Sequence, residues 1–295
     1  MPPKQAMNAN LSDGVPEPGI PIIDSHVHVW SDGTPPYPYA DLVPCPNSPV
    51  TAEHLLDVMQ RSGTMQAVLV QPSVHGYDNS YIADCLRRFP GRFAAVGRVE
   101  PSRGDAADHL RRLVQEDGFV GLRLNLRQEC DLVGWQSRSL WTMAADLGIP
   151  ISLLLDPPFL PEVPTLARRF PDVSIVIDHL ARIRPALPGA TQAQKDLLAL
   201  ARIPNVLLKV SAFQFLSQEP YPWENLHRML TSVTDAFGPR RLMWGSDFPG
   251  DADTYDQALR LARNFTAWSG EAGSWLLNLT ARSTFKLAPA PATKP

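Results

Sequence analysis

The 295-residue chain has no apolar run approaching the roughly 20 residues that cross a bilayer. Its opening stretch, Met1 to Gly14, lacks the apolar segment of a secretory signal. Cysteine is scarce: Cys45, Cys85 and Cys130 lie far apart and form no Cys-x-x-Cys pair, which excludes a disulfide framework or a zinc knuckle. There is no basic excess either. With 27 Lys and Arg against 30 Asp and Glu, the chain lacks the cationic footprint of a nucleic-acid binder. No Gly-x-Gly-x-x-Gly turn, Walker loop, His-Glu-x-x-His helix or Gly-x-Ser-x-Gly elbow occurs. These absences predict a cytoplasmic protein that engages neither nucleic acid nor membrane and leave an oligomer open.

What is present is enough apolar material, 44% of residues, for a large core. The 30 prolines, about twice the usual share, predict many fixed turns and little long regular helix. Residues 1–19 read as a flexible tail, 20–287 as one domain, and 288–295, rich in Ala and Pro, as a second tail. Eight short apolar runs punctuate the domain, at 21–23, 67–70, 94–99, 120–124, 151–155, 173–177, 206–210 and 242–245. Between several of them apolar residues recur at helical spacing, over 53–61, 105–116, 140–147, 224–237 and 255–265. Short buried strands alternating with helices predict an α/β fold with a parallel sheet, and eight such units predict a (β/α)8 TIM barrel. A long loop, Trp30 to Val50, follows the first strand and contains Tyr37, Tyr39 and six prolines. Its length marks it as a cover over a site.

A barrel enzyme draws its chemistry from the C-terminal ends of its strands. After the first run stand His26 and His28; residues two apart on a strand share a face, so both imidazoles are expected in the barrel mouth, where they suit a zinc-like metal. The sixth run ends in Asp178-His179, which should point opposite ways on a strand, and His179 is expected to face the centre. The eighth ends in Gly245-Ser246-Asp247-Phe248-Pro249. Asp247 there is either a helix N-cap or a carboxylate that holds a metal or takes a proton from water. Arg123 and Lys209 interrupt apolar runs. They are either ion-paired with an acid such as Glu100 or clamp an anionic substrate. Ser73, His75 and Tyr77 are loop candidates for substrate contact, and Phe213, Phe215 and Trp223 in the seventh loop suit a sugar ring. His54, His109 and His227 read as surface or packing residues.

Several separated motifs agree in order: Ile22-Ile23-Asp24-Ser25-His26-Val27-His28-Val29-Trp30, Gly121-Leu122-Arg123, Ile177-Asp178-His179 and Trp244-Gly245-Ser246-Asp247-Phe248-Pro249. With Trp275 to Ala281 as a closing helix, the chain resembles the amidohydrolase superfamily over almost its whole length. It looks most like the branch of sugar lactonases and 2-pyrone-4,6-dicarboxylate lactonase. The resemblance implies hydrolysis of a small anionic or sugar lactone, with His26, His28, His179, Arg123 and Asp247 lining the site and Asp247 activating water. Trp30, Tyr37 and Tyr39 would cover the substrate and Lys209 would assist Arg123. The sequence departs from the superfamily's two-metal pattern: the fifth strand ends in Asp156 rather than histidine, and the fourth gives Arg123 and Asn125. The resemblance therefore implies at most one divalent ion, zinc by its ligands, on His26, His28 and Asp247, and equally admits a metal-independent reaction. A decarboxylase of the same superfamily and a non-catalytic barrel binding a small acid are the alternatives.

Overall fold

In a computed structural model describing residues 21–40, 45–126, 135–250 and 252–289, eight parallel strands pair strictly in chain order. They are β1 (Ile22–Val27), β2 (Thr64–Val70), β3 (Phe93–Gly97), β4 (Gly121–Asn125), β5 (Ile151–Leu154), β6 (Ile175–Ile177), β7 (Val206–Val210) and β8 (Leu242–Trp244). The last returns to the first just beyond its end. Val27 and Phe248 form a parallel bridge, His28 N donates to Phe248 O at 2.7 Å, and Asp247 N donates to His26 O at 2.9 Å. The α/β barrel expected from eight strand–helix units is the fold. The expected tails lie outside the described residues except for Ala288 and Pro289, as does Cys130.

The helices that follow the first six strands are α1 (Ala52–Ser62), α2 (Ser80–Arg88), α3 (Ala106–Gln115), α4 (Trp135–Leu147), α5 (Val163–Arg169) and α6 (Ala190–Ala199). After β7 come a single turn, α7 (Phe213–Leu216), and α8 (Glu224–Phe237); after β8 comes α9 (Ala252–Asn264). The sequence of α1 shows why such a helix starts and stops: Thr51 caps it by accepting from His54 N, and Gly63 ends it in the left-handed conformation that glycine adopts without strain. Its buried Leu55, Val58 and Met59 share one face against the sheet. Long regular helix is scarce, as expected: among the described residues α4, α8 and α9, of 13 and 14 residues, slightly exceed the mean of about 11–12, and the other helices do not. Among the described residues no helix is long and apolar enough to cross a membrane.

Inside the barrel Ile23, Val68, Val70, Val96, Val176, Leu207 and Met243 pack together, and Ala281 and Phe285 from the closing helical segment (Glu271–Thr284 and its end) join them. This apolar filling occupies the lower barrel. Polar side chains begin one layer higher, at Lys209, whose ammonium sits 5.6 Å from the Phe285 ring centre.

The seam between β1 and β8 is where geometry is most constrained. Ile23 packs in the barrel interior, yet His26, an odd number of residues later, also turns inward to meet Lys209. A register irregularity between Asp24 and Val27 allows this change of face. The fully buried Asp24 holds the irregularity: its Oδ1 accepts from His26 N at 3.1 Å and from Ser246 N at 3.0 Å. Ser25 Oγ adds a bond to Trp244 O at 2.6 Å. Gly245 must be glycine here, since a Cβ would lie 2.8 Å from His26 Cβ. An orphaned buried donor costs about 1–3 kcal/mol, so Asp24→Ala, which strands two, is expected to lower the unfolding free energy read in a urea titration by about 2–6 kcal/mol. Asp24→Asn, which keeps an acceptor oxygen, should retain most of the stability in the same urea titration.

Candidate active site

The C-terminal ends of β1, β4, β6, β7 and β8 converge on one set of ionisable groups. Asp247 Oδ1 stands 3.6 Å from His26 Nε2, 3.6 Å from His28 Nε2 and 3.8 Å from His179 Nε2. The two β1 imidazoles share this face as expected, their Nε2 atoms 3.2 Å apart. Asp247 reaches the cluster from a left-handed residue (φ 61°) just past β8, and His179 opens a run of four left-handed residues through Arg182. Such conformations are strained for residues with a Cβ and are tolerated where surrounding contacts enforce them.

That run corrects one expectation. Because β6 stops at Ile177, strand alternation does not reach Asp178 and His179, and both turn toward the centre. Asp178, fully buried, meets Arg123 Nε at 3.2 Å through Oδ2 and Lys209 Nζ at 3.2 Å through Oδ1. The partner of the two strand cations is thus Asp178, not Glu100. Lys209 Nζ also bonds His26 Nδ1 at 3.1 Å. Lys209 lies beneath the site with no exposure, whereas Arg123 reaches the cavity wall.

Partners fix the imidazole tautomers. His28 Nδ1 donates to Val70 O at 2.7 Å, which leaves a lone pair on Nε2. An ammonium can only donate, so His26 Nδ1 accepts from Lys209 and its proton sits on Nε2, directed at that lone pair. All three rings are neutral. Burial, then the Arg123 charge, pushes His28 down to about 3. Burial takes His179 to about 3 as well, against the pull of Asp178 and with Arg123 and Lys209 adding to the fall. Burial and Lys209 hold His26 well below the ordinary value. Burial pushes Asp247 up to about 7, helped by the charges of Asp178 and Asp24 and opposed by Arg123 and Lys209. Asp178 goes the other way. Burial would raise it, but Lys209, His26 and Arg123 together hold it well below the carboxylate range.

A cavity of about 420 Å3 opens over this cluster, and His28, His179, Arg123 and Asp247 form its floor. Trp30 and Ser73 line it, as does Phe215 of α7. Other candidates stand elsewhere. His75 is buried under the first loop, bonded to Pro38 O at 3.0 Å, and Tyr77 lies against Arg98. Tyr37 packs on Tyr81 and Tyr39 donates to Ser31 O at 2.7 Å, so these tyrosines anchor the loop instead of facing the cavity. Phe213 and Trp223 are buried against each other. Residues 41–44 of that loop lie outside the described residues. Arg182 and Arg184 also line the cavity and escaped the sequence reading, since nothing in the sequence announces the left-handed turn that carries them there.

Among the described residues two groups of ligand atoms could hold a metal ion: His26, His28 and Asp247, and His26, Asp178 and His179. The first fits. Tetrahedral zinc with bonds near 2.0–2.1 Å separates its ligands by about 3.3 Å, close to the 3.2 and 3.6 Å edges found here. Ligation needs the His26 proton moved to Nδ1, where Asp178 Oδ1 lies 3.5 Å away without a well-aligned hydrogen bond, and so needs the Lys209 ammonium, 3.1 Å from that nitrogen, to give up its bond there. The second group would set a cation beside Lys209 and Arg123, which already neutralise Asp178.

Removing one partner of a buried charge cluster typically costs about 3–5 kcal/mol. Asp178→Asn is expected to destabilise the fold by about that much, because Lys209 and Arg123 then lack a counter-charge. In chemical denaturation the double variant Asp178→Asn/Lys209→Met should lose less than the sum of the single losses.

Residues 23–287 match the family described as amidohydrolase. An L-fucono-1,5-lactonase of Burkholderia ambifaria is 33% identical, over 86% of this chain and 85% of its own length. A 4-sulfomuconolactone hydrolase of Rhizobium radiobacter is 29% identical, over 83% and 80%. The fold is shared with a crystal structure of an amidohydrolase from Burkholderia multivorans with bound zinc (TM-score 0.73, 20% identity, 91% of this chain and 100% of that one). With a family match spanning the whole barrel and the strand-end histidines and aspartate gathered at its mouth, this chain belongs to the amidohydrolase family.

Proposed function

We propose that the protein opens a lactone ring by attack of water, with Asp247 as the general base. The observation that carries this is a carboxylate lifted to about 7, with one oxygen within 3.6–3.8 Å of three neutral imidazoles on the floor of a closed-bottomed cavity. A base titrating near neutrality combines availability with driving force for taking a proton from water. The relatives named as lactone hydrolases support the same reaction type.

The residues divide the work as follows. Arg123, steered by Asp178 through Nε, turns the rest of its guanidinium to the cavity and holds an oxygen or carboxylate of the substrate. Ser211 Oγ lies 2.9 Å from His179 Nδ1, and with the serine as donor His179 carries its own proton on Nε2. That N–H points to where a carbonyl oxygen gains charge. Water adds to the carbonyl carbon as Asp247 takes its proton. The tetrahedral intermediate then collapses, the ring C–O bond breaks, and Asp247 returns the proton to the leaving alkoxide, giving a hydroxy acid. His26, His28 and Asp247 would hold a divalent ion, which when bound supplies Lewis-acid polarisation and an acidified water. Trp30 and Phe215 add aromatic surface to the cavity lining.

Asp247→Asn keeps the shape but removes the base. Loss of a general base costs about 10²–10⁴-fold, so kcat for lactone opening, followed by acid release in a pH-stat, should fall at least about a hundredfold with an unchanged circular dichroism spectrum. Near-normal turnover would refute the assignment, and release of carbon dioxide instead of acid would favour a decarboxylase. The shared His26 and the cationic surroundings of Asp178 leave room for one ion per chain. Elemental analysis of purified protein is expected to find no more than one, and two tightly held ions would overturn that reading.

A further inference from the structure

The reactive cavity does not end at the reacting groups. Arg182 and Arg184 line both it and a second, larger cavity of about 730 Å3 over the loops after β5 and β6. Ligand cavities of about 300–1,000 Å3 accommodate drug-sized molecules, and the first lobe at about 420 Å3 already suits a single ring. The second is spare room if the substrate is one small lactone.

Its walls describe what would enter. Pro157, Pro158, Leu187 and Pro188 give it an apolar surface. Leu187 and Phe215, at 44% and 54% exposure, are two of the three exposed large apolar side chains among the described residues, and each lines one of the two lobes. Exposed apolar side chains gathered at cavity mouths mark binding surface better than scattered ones do. At the junction Arg182 is paired with Asp156 at 3.4 Å. Among the described residues Arg184 has no acidic partner, so its charge is available to a ligand. Arg182 at the junction closes the left-handed run that begins at His179, and Arg184 follows two residues later.

We propose that the cleft is two-lobed and that its substrate is an extended acidic lactone. The lactone ring lies over Asp247, an acidic group meets Arg184, and an aryl or acyl arm fills the second lobe. This rests on the lactone-opening reading of the first lobe. The test uses matched lactones with and without a phenylalkyl arm, and armed lactones with and without a carboxylate at the arm's root. Gln192, exposed on α6, lines only the second lobe, so Gln192→Trp narrows that lobe from a tolerant surface position.

The wild type is expected to prefer armed over bare lactones in kcat/KM. Gln192→Trp should cut that preference at least about tenfold, the scale at which a pocket discriminates by a few methylenes. Arg184→Glu should cut the preference for the acidic over the neutral armed lactone by a similar factor. Equal efficiency on armed and bare lactones, or a preference indifferent to Gln192→Trp, overturns the proposal. If no lactone in the set is opened, the lactone reading itself has failed. Calorimetric binding of the ring-opened armed acid then decides separately: weaker binding by Gln192→Trp than by wild type supports the second lobe, and equal or absent binding by both rejects it.

Discussion

A carboxylate with no access to water organises this site. Asp178 alone would be too costly to bury in its charged form, and so would Lys209 or Arg123 on the inner faces of their strands. Together they form a cluster that joins the ends of β4, β6 and β7 and, through Lys209, reaches His26 on β1. The consequences spread outward. Burial, with the cations adding to it, keeps the neighbouring imidazoles neutral, and the negative charge of Asp178 helps lift Asp247 toward neutrality. One buried charge balance thus sets both the rigidity of the barrel mouth and the protonation states its chemistry needs, a pairing of burial with charge partners that is typical of functional sites.

The barrel was legible in the sequence because parallel strands buried on both faces leave continuous Val, Ile and Leu runs, and β2, β5 and β7 lie where those runs stand. The paired β1 histidines were legible too, since a shared face follows from their spacing. The helices α2, α5 and α6 went unmarked. The second of these begins among prolines at 157, 158, 161 and 164, which hide its short apolar face. Asp178 was misjudged for a different reason. Whether it points inward depends on where β6 stops, and a left-handed turn built from His, Leu, Ala and Arg carries none of the glycine or asparagine that normally betrays one. The aromatic residues of the first and seventh loops were plausible cavity walls by composition. Which of them faces the cavity is settled by packing partners such as Tyr81, which no local pattern encodes.

The position of Asp24 has a consequence for how the molecule comes into being. Its carboxylate joins the backbone of His26 to that of Ser246, 222 residues further along, and Ser25 reaches Trp244 across 219. Contacts of such sequence separation form late, since the loop entropy of closing them is compensated only once the intervening strands are in place. His26 takes its inward orientation from that seam, and Asp247 is delivered by it. A chain still emerging from the ribosome can therefore hold seven strands and most of the cavity wall and yet have no assembled reactive centre. The cluster of His26, His28 and Asp247 is thus completed in one step, with the eighth strand.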